Sequence, residues 1–109
     1  MWEEALAKVD ELLVSNPLAA QLYLLRGQLI QLQRESTQYS LDDVEKSFKM
    51  AVELDATYFD ALVELMHFYD AVCPNAPKAI AYAKQVRTIA QKALEEASAV
   101  LAETVESSA

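Results

Sequence analysis

Glu64 and His67, in the tetrapeptide Glu64-Leu65-Met66-His67, are three residues apart. On a helix this spacing stacks a carboxylate and an imidazole on one face, and Glu-x-x-His is half of the ligand set of a di-iron bundle. The other half needs a second Glu-x-x-His, and the chain has one histidine. A symmetric dimer could supply it, but nothing in the sequence demands one. Cys73 precedes Pro74 with no basic residue close in sequence to stabilise a thiolate, so a reactive thiol is not expected. One glycine, one cysteine and one histidine leave no phosphate-cradling loop, no cysteine-pair metal site and no framed Ser/His/Asp set. The expectation is a protein that is not an enzyme and carries no cofactor or metal.

Composition narrows the class further. With 109 residues, 53% of them hydrophobic, three Pro and one Gly, the chain suits one ordered domain over residues 1–109, built from long helices. Seventeen acids against nine Lys and Arg give a net charge of −8. That field repels phosphate backbones and anionic headgroups, so neither nucleic acid nor membrane is an expected partner. The lone cysteine cannot make an internal disulfide, and no apolar run is long enough to span a bilayer. The first residues are acidic and lack a basic flank and cleavage site. The expected location is therefore the cytoplasm.

Five helices should position whatever the chain presents. Trp2, Ala5, Leu6, Val9, Leu12 and Leu13 recur three and four apart, which predicts a helix over 2–15. Asn16 and Pro17 read as N-cap and first turn of a second helix over 17–34. The polar stretch 35–40 ends it, and Ser40 with Asp43 resembles a capping box opening a helix over 41–54. Thr57 with Asp60 offers another cap for a helix over 57–72, carrying Phe59, Leu62, Leu65, Met66 and Tyr69. Residues 73–77 stop it. Ala79, Ala83, Val86, Ala90, Ala93, Ala97 and Val100 then predict a final helix over 76–104, about 42 Å long at 1.5 Å per residue, which should outrun the body. The last four residues have nothing to bury and should fray.

One apolar spacing returns three times. Ala5-x3-Val9-x2-Leu12-x4-Pro17 matches Val44-x3-Phe48-x2-Ala51-x4-Ala56 and Ala79-x3-Ala83-x2-Val86-x4-Gln91. Between the copies stand Tyr23-x2-Arg26-Gly27-x2-Ile30 and Leu62-x2-Leu65-Met66-x2-Tyr69, with Tyr23 six residues after Pro17 and Leu62 six after Ala56. Over residues 3 to 90 this resembles the tetratricopeptide repeat (TPR) family, whose unit is a 34-residue helix–turn–helix. Gly27 keeps the small residue that lets two helices of a unit approach, and Phe48 and Ala51 keep the large and small places of the second helix. The copies depart from the family period, since Ala5 to Val44 is 39 residues and Val44 to Ala79 is 35. The extra residues fall in 35–40 and 73–77, where insertion into a loop costs little. The resemblance implies an all-α, antiparallel helix-pair solenoid of about two and a half units. An ordinary up-and-down bundle is the competing architecture.

On the fourth helix Asp60, Val63, Glu64, His67 and Asp70 lie away from the core stripe; Gln21, Leu24, Gln28 and Gln31 hold the corresponding places on the second. The resemblance implies that this side lines a concave groove for a peptide or helix, whereas the residues alone fit a solvated face equally well. In a groove, glutamine amides would bond an extended backbone, and carboxylates would favour Lys or Arg in the ligand. Members of the family that grip a C-terminal carboxylate use Lys, Asn and Arg here, so acidic C-terminal peptides should bind poorly. Trp2 and Tyr39 are further candidate contacts, though a Trp at a helix start is more often a staple.

The expected function is thus a non-catalytic scaffold for protein–protein interaction, with a neutral to basic partner. The alternative is a structural or oligomerisation domain using the last helix. There Lys78, Lys84, Arg87 and Lys92 precede Glu95, Glu96, Glu103 and Glu106, a polarity that suits antiparallel homodimer pairing and equally a solvated surface. In the repeat register the chain starts on a unit's second helix, which leaves the apolar face of 2–15 one neighbour short.

Overall fold

The computed structural model describes residues 2–33 and 38–108, with side chains of the last helix through residue 104. The described residues form five α-helices and no strand: α1 Trp2–Ser15, α2 Ala20–Leu32, α3 Leu41–Leu54, α4 Phe59–His67 and α5 Ala76–Ser108. A π-helical turn, Phe68–Val72, extends α4.

The limits of α1 and α3 are those the periodicity predicts. The predicted start of α2 is corrected by three residues, because Asn16 closes α1 instead of opening α2. Its backbone N–H donates to the Leu12 carbonyl at 2.9 Å, its side-chain amide donates to the same oxygen at 3.0 Å, and Ala19 is the N-cap. Thr57 is not a cap either. Its N–H and hydroxyl both donate to Asp55 Oδ1, at 3.1 and 3.2 Å, and Tyr58 precedes α4. Asn and Asp side chains that bond nearby backbone in this way make turns, which is why both helices start later than a cap reading suggests. Ser40 and Asp43 do form the predicted capping box, the Ser40 N–H donating to the Asp43 carboxylate at 2.8 Å.

The chain repeats itself at an offset of 39 residues. Helices α1 and α3 share first and last residues at that offset, as do the starts of α2 and α4. The turns repeat as well: Asn16 N–H to Leu12 O and Ala19 N–H to Asn16 O become Asp55 N–H to Ala51 O and Tyr58 N–H to Asp55 O. Of the polar stretch predicted at 35–40, residues 35–37 lie outside the described ones.

Each helix packs on the next, most extensively α2 on α3 and α4 on α5, while the backbones of α2 and α4 meet at most marginally. The core is Leu6 and Val9 from α1, Leu24, Leu29 and Ile30 from α2, Val44, Phe48 and Ala51 from α3, and Ala61, Leu62, Leu65, Phe68 and Tyr69 from the fourth helix and its π turn. Gly27 sits against the Phe48 ring, and a Cβ there would lie 2.5 Å from Phe48 Cε1. Trp2 stays 45% exposed, as expected for a helix with one neighbour, and Leu12 and Leu25 are also exposed. Polar groups tie α1 to α3 across α2. Arg26 donates from Nε to Asp10 at 2.9 Å and from Nη1 to Ser47 Oγ at 2.8 Å, and lies 5.6 Å from the Tyr39 ring centre.

Asn75 caps α5, accepting the Lys78 N–H at 3.2 Å. Helix α5 reaches Ser108, four residues past the predicted 104 and into the segment expected to fray. Its stripe is used only in part. Ala79, Ala83 and Val86 are half-buried against the body, whereas every described side chain from Ala90 to Thr104 is exposed. No helix among the described residues is long and apolar enough to cross a membrane.

Candidate functional site

Burial of Ala61, Leu62 and Leu65 on one side of α4 leaves the opposite side to Asp60, Val63, Glu64 and His67. Of these Asp60 and His67 are exposed, and Val63 and Glu64 half-buried. The π turn continues this side. Phe68 and Tyr69 are buried, the Cys73 N–H donates to the Phe68 carbonyl at 2.8 Å, and the Asn75 N–H to the Tyr69 carbonyl at 2.8 Å. That wide turn sets Asp70 beside His67, where both line a cleft of about 290 Å³ with Met66, Ala79, Ile80 and Ala83. A π turn inserts one residue into the helical register, and such turns recur at functional sites.

The charges on this face are uncompensated. Asp60, Glu64, His67 and Asp70 have no hydrogen bond or ion pair from a side chain among the described residues. Asp60 and Asp55 both face the Tyr58 phenol, whose pKa is raised by burial first and then by these two negative charges.

The predicted positions on α2 fare differently. Gln21 is exposed and Gln28 and Gln31 are half-buried, but Leu24 is 7% exposed and belongs to the core, which corrects its assignment to the groove. The cause is that α2 lies between α1 and α3 and must present apolar residues to both. Gln31 lines a second cleft, of about 550 Å³, with Ile30, Gln33, Tyr39, Val44 and Val72. The Gln33 amide nitrogen is buried there without a partner among the described residues. The predicted residues thus fall into two places, an acidic face on α4 continuing into its cleft with α5, and an amide-bearing edge on α2.

Other polar groups went unrecognised in the sequence, and they serve the packing. Tyr69 donates its hydroxyl to Glu45, stacks on Tyr82 at 5.9 Å and lies under Lys78 at 5.1 Å, joining α3, the π turn and α5. Its pKa is raised by burial first and then by the Glu45 hydrogen bond. Tyr39, a candidate contact, faces Asp10 and Arg26, and its pKa is raised by burial and then by the Asp10 charge. Arg26 carried a legible signal, a charge inside an apolar register, which implies a partner in the fold. Glu45 carried none, since it occupies an ordinary polar position of α3. Cys73 is exposed and free.

No family model, no curated protein and no solved structure matches this chain.

Proposed function

We propose that the chain is a short helical-repeat module of the TPR type that binds another protein and does no chemistry of its own. It takes a neutral to basic peptide or helix on the face that begins with Asp60 and Glu64. The observation that carries the reading is the set of acids on α4 and its π turn, solvent-accessible and without an ion pair among the described residues. Acids held on a rigid helix with no intramolecular partner lose little on meeting a cation, and opposed charge across an interface sets both the rate of encounter and the choice of partner. The 39-residue repetition, the tight pairing of α2 with α3 and of α4 with α5, and the seat of Phe48 on Gly27 support the repeat assignment. Gln21, Gln28 and Gln31 on α2 offer amides to the same ligand, and Leu24 has no part in it.

The test uses synthetic helical peptides of one apolar pattern carrying Lys, Gln or Glu on the polar face. Affinity for the chain, read by fluorescence anisotropy at low salt, should fall in that order. Asp60→Asn, Glu64→Gln and Asp70→Asn together should weaken the Lys peptide about tenfold or more, each lost charge pair being worth a few tenths to about 1 kcal/mol. Unchanged affinity in the triple variant would overturn the reading.

A further inference from the structure

The cleft between the π turn and α5 has an apolar floor and a charged rim. Met66, Ala79 and Ala83 are half-buried in it, and Ile80, 55% exposed, forms one wall. Its origin is local. The turn over Phe68–Val72 is wider than an α-helical one, and α5 presents two alanines beside it, so neither element supplies the bulk that would close the gap. The volume of about 290 Å³ is just below the range of small-molecule sites, about 300–1,000 Å³. That is room for one or two side chains. The floor offers no polar side chain to a head group, and the flexible thioether of Met66 can adapt to an apolar guest.

The rim says what else the guest carries. His67 and Asp70 belong to the rim, and Asp70 stands at the end nearest the turn. The basic residues in the first part of α5 are placed elsewhere. Lys78 lies over the Tyr69 ring, Lys84 lines a separate cleft with Ala56 and Thr57, and Arg87 follows Ile80 by seven residues on the same side of α5. Because α5 runs back along α4 from the turn, Arg87 stands toward Val63 and Glu64, two helical turns away from Asp70. Charge therefore changes sign along the cleft, negative at the turn and positive at the far end.

We infer that this cleft is the anchor pocket for a helix docking on α4. It takes one leucine-sized aliphatic side chain, and a Lys or Arg three or four residues away on the same partner helix lies at the Asp70 end. The inference rests on the proposed function and adds to it the contact that fixes the partner's position. A separation of three or four residues sets anchor and cation on one face of the partner, about 5–6 Å apart. Leucine is favoured over Tyr or Trp, whose polar atoms would find no partner on the floor. A cation at the opposite end would meet Arg87, so the sign change fixes which way the anchor and its charge point.

The probe is a labelled helical peptide with one Leu and one Lys four residues apart on a face otherwise of Ala and Gln, compared with the same peptide carrying Ala in place of the Leu. By anisotropy at low salt the full chain should bind the Leu peptide about tenfold tighter than the Ala peptide. Ile80→Ser should cut that advantage to about threefold or less. Ile80 is largely exposed, so circular dichroism and melting should not change. Asp70→Asn should weaken the Leu peptide about threefold and leave its advantage over the Ala peptide in place. Equal binding of the two peptides, with preference for Lys over Glu retained, would overturn the inference and leave the acidic face of α4 standing. A Leu advantage undiminished by Ile80→Ser would also overturn it, because the anchor would then lie elsewhere. A Leu advantage that Ile80→Ser removes, with affinity unchanged by Asp60→Asn, Glu64→Gln and Asp70→Asn together, would support the anchor and refute the charge reading of α4. Binding of neither peptide would overturn both.

Discussion

Replacing Gly27 with Ala tests the closest approach in the core. A methyl group at Gly27 would sit 2.5, 2.7 and 3.0 Å from Cε1, Cδ1 and Cζ of Phe48, against the 3.5–4.0 Å at which carbon atoms rest. The ring is fully buried, so relief needs either a strained rotamer or a separation of α2 from α3 by about 1 Å. Gly27 has no positive φ, so backbone conformation gives no reason for the glycine, and Ala would gain about 1 kcal/mol of helix propensity there. Overpacking a tight core costs about 1–3 kcal/mol and more in a rigid site. The balance expected is a loss of about 1–2 kcal/mol, which lowers Tm by about 4–8 °C per kcal/mol in a domain of this size. Urea and thermal unfolding followed by circular dichroism measure it. Phe48→Leu alone should cost about 1 kcal/mol, and in combination with Gly27→Ala should recover part of the loss, a coupling of about 1 kcal/mol between touching residues. A neutral or stabilising Gly27→Ala, or strict additivity in the pair, would refute the reasoning.

Arg26→Ala removes the link between Asp10 and Ser47 and should cost about 1–3 kcal/mol in urea unfolding, with Ser47→Ala adding less than its own effect. Tyr39, Tyr58, Tyr69 and Tyr82 all have pKa values raised above 10.0, by burial first. A raised folded pKa means stability that is complete below the unfolded value and is lost as pH climbs through the folded one. Tm should therefore fall above about pH 10 as the phenols ionise, and Tyr69→Phe should make that fall shallower. Ending the chain at Lys92 should change Tm by no more than about 2 °C, because the described side chains beyond Ala90 bury nothing against the body.

Helices with one apolar side were legible to the residue, as α1 and α3 show, because a single stripe and a polar remainder fix both extent and orientation. Helix α2 was less so. With leucines at 22, 24, 25, 29 and 32 it has no single stripe, so spacing alone puts Leu24 toward a groove and does not reveal that the neighbouring α1 and α3 enclose it. The turns were found where Asn16, Pro17 and Asp55 stand, but which side of the turn each side chain serves depends on hydrogen bonds that spacing does not reveal. The π turn left no trace in periodicity, and it decides where Asp70 lies. Of the candidate site, the acids of α4 were visible as charges off the apolar stripe; their lack of partners is a property of the folded neighbourhood and could be read only there.

The proposed function puts a basic partner on the acidic side of α4. Amide chemical-shift mapping of the labelled chain during titration with the Lys-faced helical peptide tests it most directly. The largest shifts from one binding event should run along Asp60, Val63, Glu64, His67 and Asp70, diminish as salt rises, and vanish when Asp60, Glu64 and Asp70 are neutralised. Shifts confined to other surfaces, or unaffected by neutralising those three acids, would contradict it.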